Sequence, residues 1–244
     1  MLLAPLAIGA APPVLVPDVS QRTVEIVYSF TGAELLLFGA ILYPQGRVPE
    51  KPAQIAVVLR GPVQSIMVRE KQKVAGIWVN AESARFRSAP AYYAVASSLP
   101  LPAMVDERTA SIFELGVGNL QLSPANVGSP GEQQRFEAGL LDLRNRASLY
   151  VEQPNSVEIT DGVLYRARLA IPARVPVGRY TAETYLIQDG RVVAGASRDV
   201  EIHKSGFERF VAAAAQNRPF TYGLVAVILS LLLGWAAGAI FRRI

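Results

Sequence analysis

The chain has no cysteine and one histidine among its 244 residues. The first absence excludes disulfides and thiolate chemistry. The second rules out a conventional transition-metal site, which needs several His or Cys ligands, and leaves His203 as the sole imidazole base for a Ser-His-acid arrangement. His203 follows Val200 and Ile202 in an alternating stretch, so it is expected to face solvent as a structural residue. There is no G-x-S-x-G elbow and no S-x-x-K pair. No G-x-x-x-x-G-K-[ST] loop occurs, and Gly116-Val117-Gly118 lacks the third glycine and the preceding strand of a dinucleotide fingerprint, so it reads as a turn after a helix. A D-x-D-x-D-G calcium loop is also missing. The adjacent Asp106 and Glu107 suit a helix N-terminus better than acid-base work. We therefore expect a non-enzyme with no cofactor and no metal.

Runs of like charge are missing too. The 24 Lys and Arg against 20 Asp and Glu give a net charge of +4 and a pI near 9.5, but the cations are scattered among carboxylates, which argues against nucleic acid as a partner.

What is abundant is apolar sequence: 51% of residues are hydrophobic and mean hydropathy is +0.26. Much of this lies at the ends. Phe220 to Phe241 is a run of 22 residues without a charge, about 33 Å as a helix, which matches a bilayer core. Arg218-Pro219 precedes it, Arg242 and Arg243 close it, and Phe220, Tyr222 and Trp235 suit the interfaces. Residues 220–241 are thus expected to form a transmembrane helix and 242–244 a cytoplasmic tail. Leu2 to Ala11, followed by Pro12-Pro13, has the character of a secretory leader without its positive start. Three readings stay open: a start a few codons late, a weak leader, or a hydrophobic arm. With residues 1–17 as leader, the body lies in the periplasm of a single-pass inner-membrane protein whose C-terminus is cytoplasmic. Without it, the chain is tail-anchored in the cytoplasm.

The body, 18–204, reads as mainly β. Arg22–Phe30 and Glu34–Tyr43 are strands separated by Thr31-Gly32; their continuous apolar character suggests a buried layer. Gln54–Arg60 and Val63–Glu70 are expected to form a hairpin across Gly61-Pro62, followed by strands Val74–Asn80 and Ala91–Ser97. A helical insert at about 104–147 holds two helices, Asp106–Leu115 and Pro130–Ala147. The second is capped by Ser129 with Glu132 completing the box, and Phe136, Leu140 and Leu143 form a core stripe. Strands return at Ser148–Val151 and at Val163–Ile171, where alternation puts Tyr165, Ala167, Leu169 and Ile171 on the core face. Asp189-Gly190 then turns Arg179–Gln188 into Arg191–His203. The pattern suggests immunoglobulin-like sandwich strands around a two-helix insertion, with a juxtamembrane helix over 205–219.

Thr23 to Tyr43 (TVEIVYSFTGAELLLFGAILY), Leu59 to Pro62 (LRGP), Gly76 to Asn80 (GIWVN) and Val175 to Gly190 (VPVGRYTAETYLIQDG), with the tail helix, resemble a family of alphaproteobacterial transmembrane proteins of uncharacterised function. The likeness extends over nearly the whole chain. It implies a leader, an extracytoplasmic β domain, one C-terminal span, no catalytic residues to carry over, and the company of a sulfite-exporter-like membrane transporter.

Two sets of residues stand out as candidate contacts. Arg60, Arg69, Lys71, Lys73, Arg85 and Arg87 form a basic cluster only partly offset by Glu70 and Glu82; guanidiniums suit oxyanions, which makes Arg60, Arg85 and Arg87 candidate anion or lipid-headgroup contacts. In the tail, Ser230, Gly234 and Gly238 recur every four residues, a small-residue stripe that suits transmembrane helix packing. The expected partners are the lipid bilayer and either an integral membrane protein or a second copy. The function expected is an extracytoplasmic accessory or binding protein on a membrane anchor. The alternatives are a self-associating structural envelope protein and an enzyme of unrecognised type.

Overall fold

Alternation of apolar and polar residues at period two dominates the chain, and in the computed structural model it produces strands that assemble into two facing sheets and a separate ribbon. The structure describes residues 12–27, 32–122, 124–125, 129–205 and 215–241. Most of the expected leader, Thr31 of the expected break, most of the expected juxtamembrane helix and the expected tail 242–244 lie outside these residues.

One sheet has the order β1-β3-β10-β9: β1 Val14–Val19, β3 Ala33–Leu42, β10 Leu164–Ile171 and β9 Val157–Thr160, all antiparallel. The other has the order β2-β12-β11-β4-β7-β8: β2 Thr23–Val27, β12 Arg191–Ser205, β11 Gly178–Gln188, β4 Gln54–Arg60, β7 Tyr93–Ser97 and β8 Tyr150–Gln153. Its interior pairs are antiparallel, but each edge strand joins in parallel, β2 on β12 and β8 on β7. The two sheets share one core. Leu35, Leu37, Tyr165, Ala167, Leu169 and Ile171 from the first pack with Ile55, Val57, Leu59, Val95, Leu186 and Val200 from the second.

The mainly β expectation holds, as do the alternation in β10 and the turn at Asp189-Gly190, where both residues have positive φ. Several assignments need correction. Residues 14–17, read as leader, belong to β1: Leu15, Pro17 and Val19 point inward at period two, a pattern that an apolar leader reading conceals. The expected hairpin across Gly61-Pro62 is absent. β4 lies between β11 and β7, while β5, Val63–Val74, pairs with β6, Ile77–Pro90. The true turn is Ala75-Gly76, both at positive φ. It falls inside the expected strand Val74–Asn80.

The insert runs over 101–146 and holds three helices instead of two: α1 Leu101–Met104, α2 Glu107–Ile112 and α3 Pro130–Arg146. Asp106 caps α2 by accepting from the Thr109 amide, and Ser129 caps α3 by accepting from Glu132. Of the expected α3 stripe, Phe136 and Leu140 are buried but Leu143 is 56% exposed. Phe136 and Leu140 of α3 pack on the base of the ribbon, with Val68, Ala84, Phe86, Ala89 and Leu122, in a second small core, while Leu141 reaches the main core and Arg144 lies over the Tyr150 ring of β8.

The last helix, α4, runs Pro219–Phe241, 23 residues, about 35 Å. Its described side chains from Phe220 to Trp235 are exposed. Among the described residues alone, no helix is both long and apolar enough to cross a membrane; the α4 backbone and its uncharged sequence extend beyond those side chains to Phe241.

Candidate functional site

Arg60, at the end of β4, is held on three sides. Its guanidinium donates to Glu114, to Glu183 Oε2 at 3.0 Å and to the Phe113 carbonyl at 3.1 Å, and lies over the Tyr93 ring at 5.8 Å. Burial pulls its pKa down, but the bond to Glu114 and the charges of Glu183 and Glu114 outweigh this and the net shift is upward. Tyr93 donates to the Glu114 carbonyl at 2.7 Å and accepts from the Gly116 amide at 2.9 Å. The group fastens the turn after α2 to the sheet. With all three nitrogens engaged, Arg60 is separated from the other cations of the basic cluster.

Those others share one surface. β5 and β6 keep register as Met67↔Arg85, Arg69↔Ser83, Lys71↔Asn80 and Lys73↔Trp78, and opposed residues in a ladder project to the same side. Arg69, Lys71, Lys73 and Arg85 therefore line one exposed face, and Arg87, two residues from Arg85, extends it. Glu70 and Glu82 oppose each other on the reverse face, where Arg135 of α3 bonds to both. Ribbon geometry thus sorts the charges: carboxylates inward to α3, cations outward.

A third surface escaped the sequence reading. On the outer face of the four-stranded sheet, side chains align in rows across the strands: Val14 with Leu42, then Val16 with Ala40 and Leu164, then Asp18 with Phe38 and Arg166. Val14, Val16, Phe38, Leu42 and Leu164 are exposed, around a shallow depression of about 460 Å³. Arg166–Glu158 and Arg168–Glu34 pairs border this apolar end. The apolar character of β3 suggests a buried layer; its Leu36-Phe38-Ala40-Leu42 alternation is the available signal of a second, outward apolar face.

Beside α1 and α2 lies a cleft of about 570 Å³ lined by Leu101, Val105, Asp106, Leu115 and Glu152, among others. Two of its acids serve the fold: Asp106 caps α2, and Glu152 accepts from the Val117 amide. Among the described residues no group of three or more His, Cys, Asp and Glu could hold a metal. His203 lies partly exposed on β12, with Nε2 3.2 Å from Glu201 Oε2. On α4, Ser230 donates to the Ala226 carbonyl at 2.9 Å, and nothing lies within 4 Å of a Cβ built at Gly234 or Gly238.

Among curated proteins none matches the chain. Two solved structures show remote likeness: Spo0M, a sporulation control protein from Bacillus subtilis, at 10% identity and TM-score 0.33, covering 85% of this chain and 56% of that one; and BslA, a bacterial hydrophobin, at 10% identity and TM-score 0.21, covering 80% of this chain and 98% of that one. The chain thus spans about half of Spo0M. The family model that matches covers residues 14–243, and the chain belongs to that family, described as "Putative transmembrane protein (Alph_Pro_TM)".

Proposed function

We propose that this protein is a single-pass membrane-anchored accessory protein, whose extracytoplasmic β body docks on an integral membrane partner through the apolar end of the β1-β3-β10 face. The observation that carries this reading is the alignment of Val14, Leu42, Val16, Ala40 and Leu164 in adjacent rows with a polar border. That is the anatomy of a protein interface, an apolar centre with a polar rim, and an isolated soluble surface has no need of it. α4 serves as the anchor: its length and uncharged sequence suit a bilayer core. By the family resemblance the partner is a transporter of the sulfite-exporter kind, and the body lies in the periplasm. The body itself is an immunoglobulin-like sandwich. Supporting this, β1-β3-β10-β9 follows the ABED order and β2-β12-β11-β4 the A′GFC order, with β7 and β8 added beyond β4, and Tyr180, near the start of β11, donates to the Pro176 carbonyl at 2.7 Å as a tyrosine corner does.

A photo-crosslinking residue in place of Phe38, used in intact native membranes, tests the reading. A covalent adduct with a different membrane protein, lost in Leu164→Asp, is expected. An adduct of two copies of this chain would instead favour the self-associating alternative, and no adduct at all would sink both. Because the chain has no cysteine, a cysteine placed at Glu137 and labelled with a membrane-impermeant maleimide reports separately on which side the body lies.

A further inference from the structure

The β5–β6 ribbon continues the β4·β7 ladder past the end of the sheet, since Gly61 donates to the Tyr92 carbonyl at 2.8 Å and Ala91 to the Pro62 carbonyl at 2.9 Å. It leaves the body at a definite pole. Arg60 pairs with Thr181, Thr181 with Asp199, and Gly178 with Ile202, so β4 and β12 end at the same side of the sheet. Pro62 lies there against Gly178, 3.4 Å from a Cβ built on it. β12 is the last strand before α4. Residues 206–218 can separate its end from α4 by no more than about 45 Å, even fully extended. The ribbon therefore emerges on the side of the body tethered to the anchor.

Beyond its contact with α3, the ribbon changes character. Val74, Ile77, Trp78 and Val79 are exposed, Ile77 to 68% and Trp78 to 66%, and Lys71 to Asn80 includes no carboxylate. Arg69, Lys71, Lys73, Arg85 and Arg87 flank this tip on one face and make no ion pair among the described residues. Val74 and Ile77 form the last rung before the turn, Trp78 lies one rung back opposite Lys73, and the other cations follow behind; such a tip complements an anionic bilayer surface, with Trp and Ile entering the headgroup zone while Lys and Arg meet lipid phosphates.

We propose that the β5–β6 hairpin tip inserts into the interface of the anionic leaflet beside the anchor, giving the body a second membrane contact that fixes its orientation. The proposal rests on α4 being the membrane anchor, and the test separates the two. The chain has two tryptophans, Trp78 and Trp235. The full chain is reconstituted into vesicles as Trp235→Phe, leaving Trp78 as reporter, and as Trp78→Phe, leaving Trp235. Brominated lipids with shallow or deep bromines then quench whichever indole lies at their depth.

Trp78 should emit to the blue and be quenched by shallow bromines. Quenching should be at least about twofold greater with about 30% phosphatidylglycerol than in neutral phosphatidylcholine, and Lys71→Glu with Lys73→Glu should remove the difference. Trp78 remaining water-exposed in both lipids while Trp235 is quenched would overturn the hairpin contact and leave the anchor standing. Trp235 unquenched would overturn the anchor itself. Trp78 shielded in native membranes but not in lipid vesicles would show that a protein covers the tip, which also overturns the lipid assignment.

Discussion

Arg60→Ala is expected to lower the unfolding free energy of the body by about 2 to 4 kcal/mol, at the lower side of the range for breaking a buried ion pair because a quarter of the Arg60 side chain is exposed. The cost arises from what is left behind. Glu114 and Glu183 would face each other beside Tyr93 with no cation between them, and the Phe113 carbonyl would lose its donor. Adding Glu114→Gln and Glu183→Gln should recover part of the loss, since uncharged amides tolerate the missing partner better than two carboxylates. Urea unfolding of the full chain in mild detergent, followed by near-ultraviolet circular dichroism, reads both. If Arg60→Ala leaves the midpoint unchanged, the cluster does not fasten the insert to the sheet.

The second large effect concerns the buried tyrosines around the pole where the ribbon leaves. Tyr92, Tyr93, Tyr150 and Tyr180 are all but inaccessible, and each hydroxyl reaches a backbone carbonyl, at Ala170, Glu114, Pro90 and Pro176 respectively. The Tyr92 bond crosses from the ribbon junction to β10 in the opposite sheet, and its ring lies 6.1 Å from that of Tyr180. Tyr92→Ala should cost about 3 to 5 kcal/mol through the cavity it leaves. Tyr92→Phe, which loses only the hydrogen bond, should cost about 1 kcal/mol. Equal losses in the two variants would refute the packing role of the ring.

The same residues, together with the half-buried Tyr185 of β11, impose a pH dependence. Burial pushes Tyr150 and Tyr185 up to about 12 from the ordinary 10.0, and Tyr92, Tyr93 and Tyr180 move further in the same direction. In the unfolded chain they lose protons near pH 10, whereas the folded chain retains them, so above pH 10 the native state binds more protons than the unfolded one. Their contribution is fully present below pH 10 and falls as pH rises through 10 to 12. A urea midpoint that stays level between pH 8 and 11 would contradict this.

Features governed by local chemistry were legible in the sequence. Asp189-Gly190 specifies a two-residue turn because few other pairs adopt two positive φ values, and Ser129 with Glu132 marks a helix start because an orphan amide needs an acceptor. The strict alternation of β10 defined its inward face, and the uncharged run to Phe241 gave the α4 helix. These follow from residues close together in the chain.

Strand partnership was different. Gly61-Pro62 has the composition of a turn, yet the chain passes straight through it into the ribbon because the Tyr92 carbonyl and Ala91 amide satisfy the backbone there. Whether Arg60 belongs with the other cations depended on Glu114 and Glu183, which arrive from distant parts of the chain. The second apolar face of β3 was written in its residues, but only the stacking of the two sheets decided which face became core and which was left exposed. Sequence by itself determined the mainly β body, the Ser129 cap, the Asp189-Gly190 turn and the apolar helix, because short-range hydrogen bonding and periodicity set them; the surfaces on which function depends arise from long-range pairing, which no local pattern encodes.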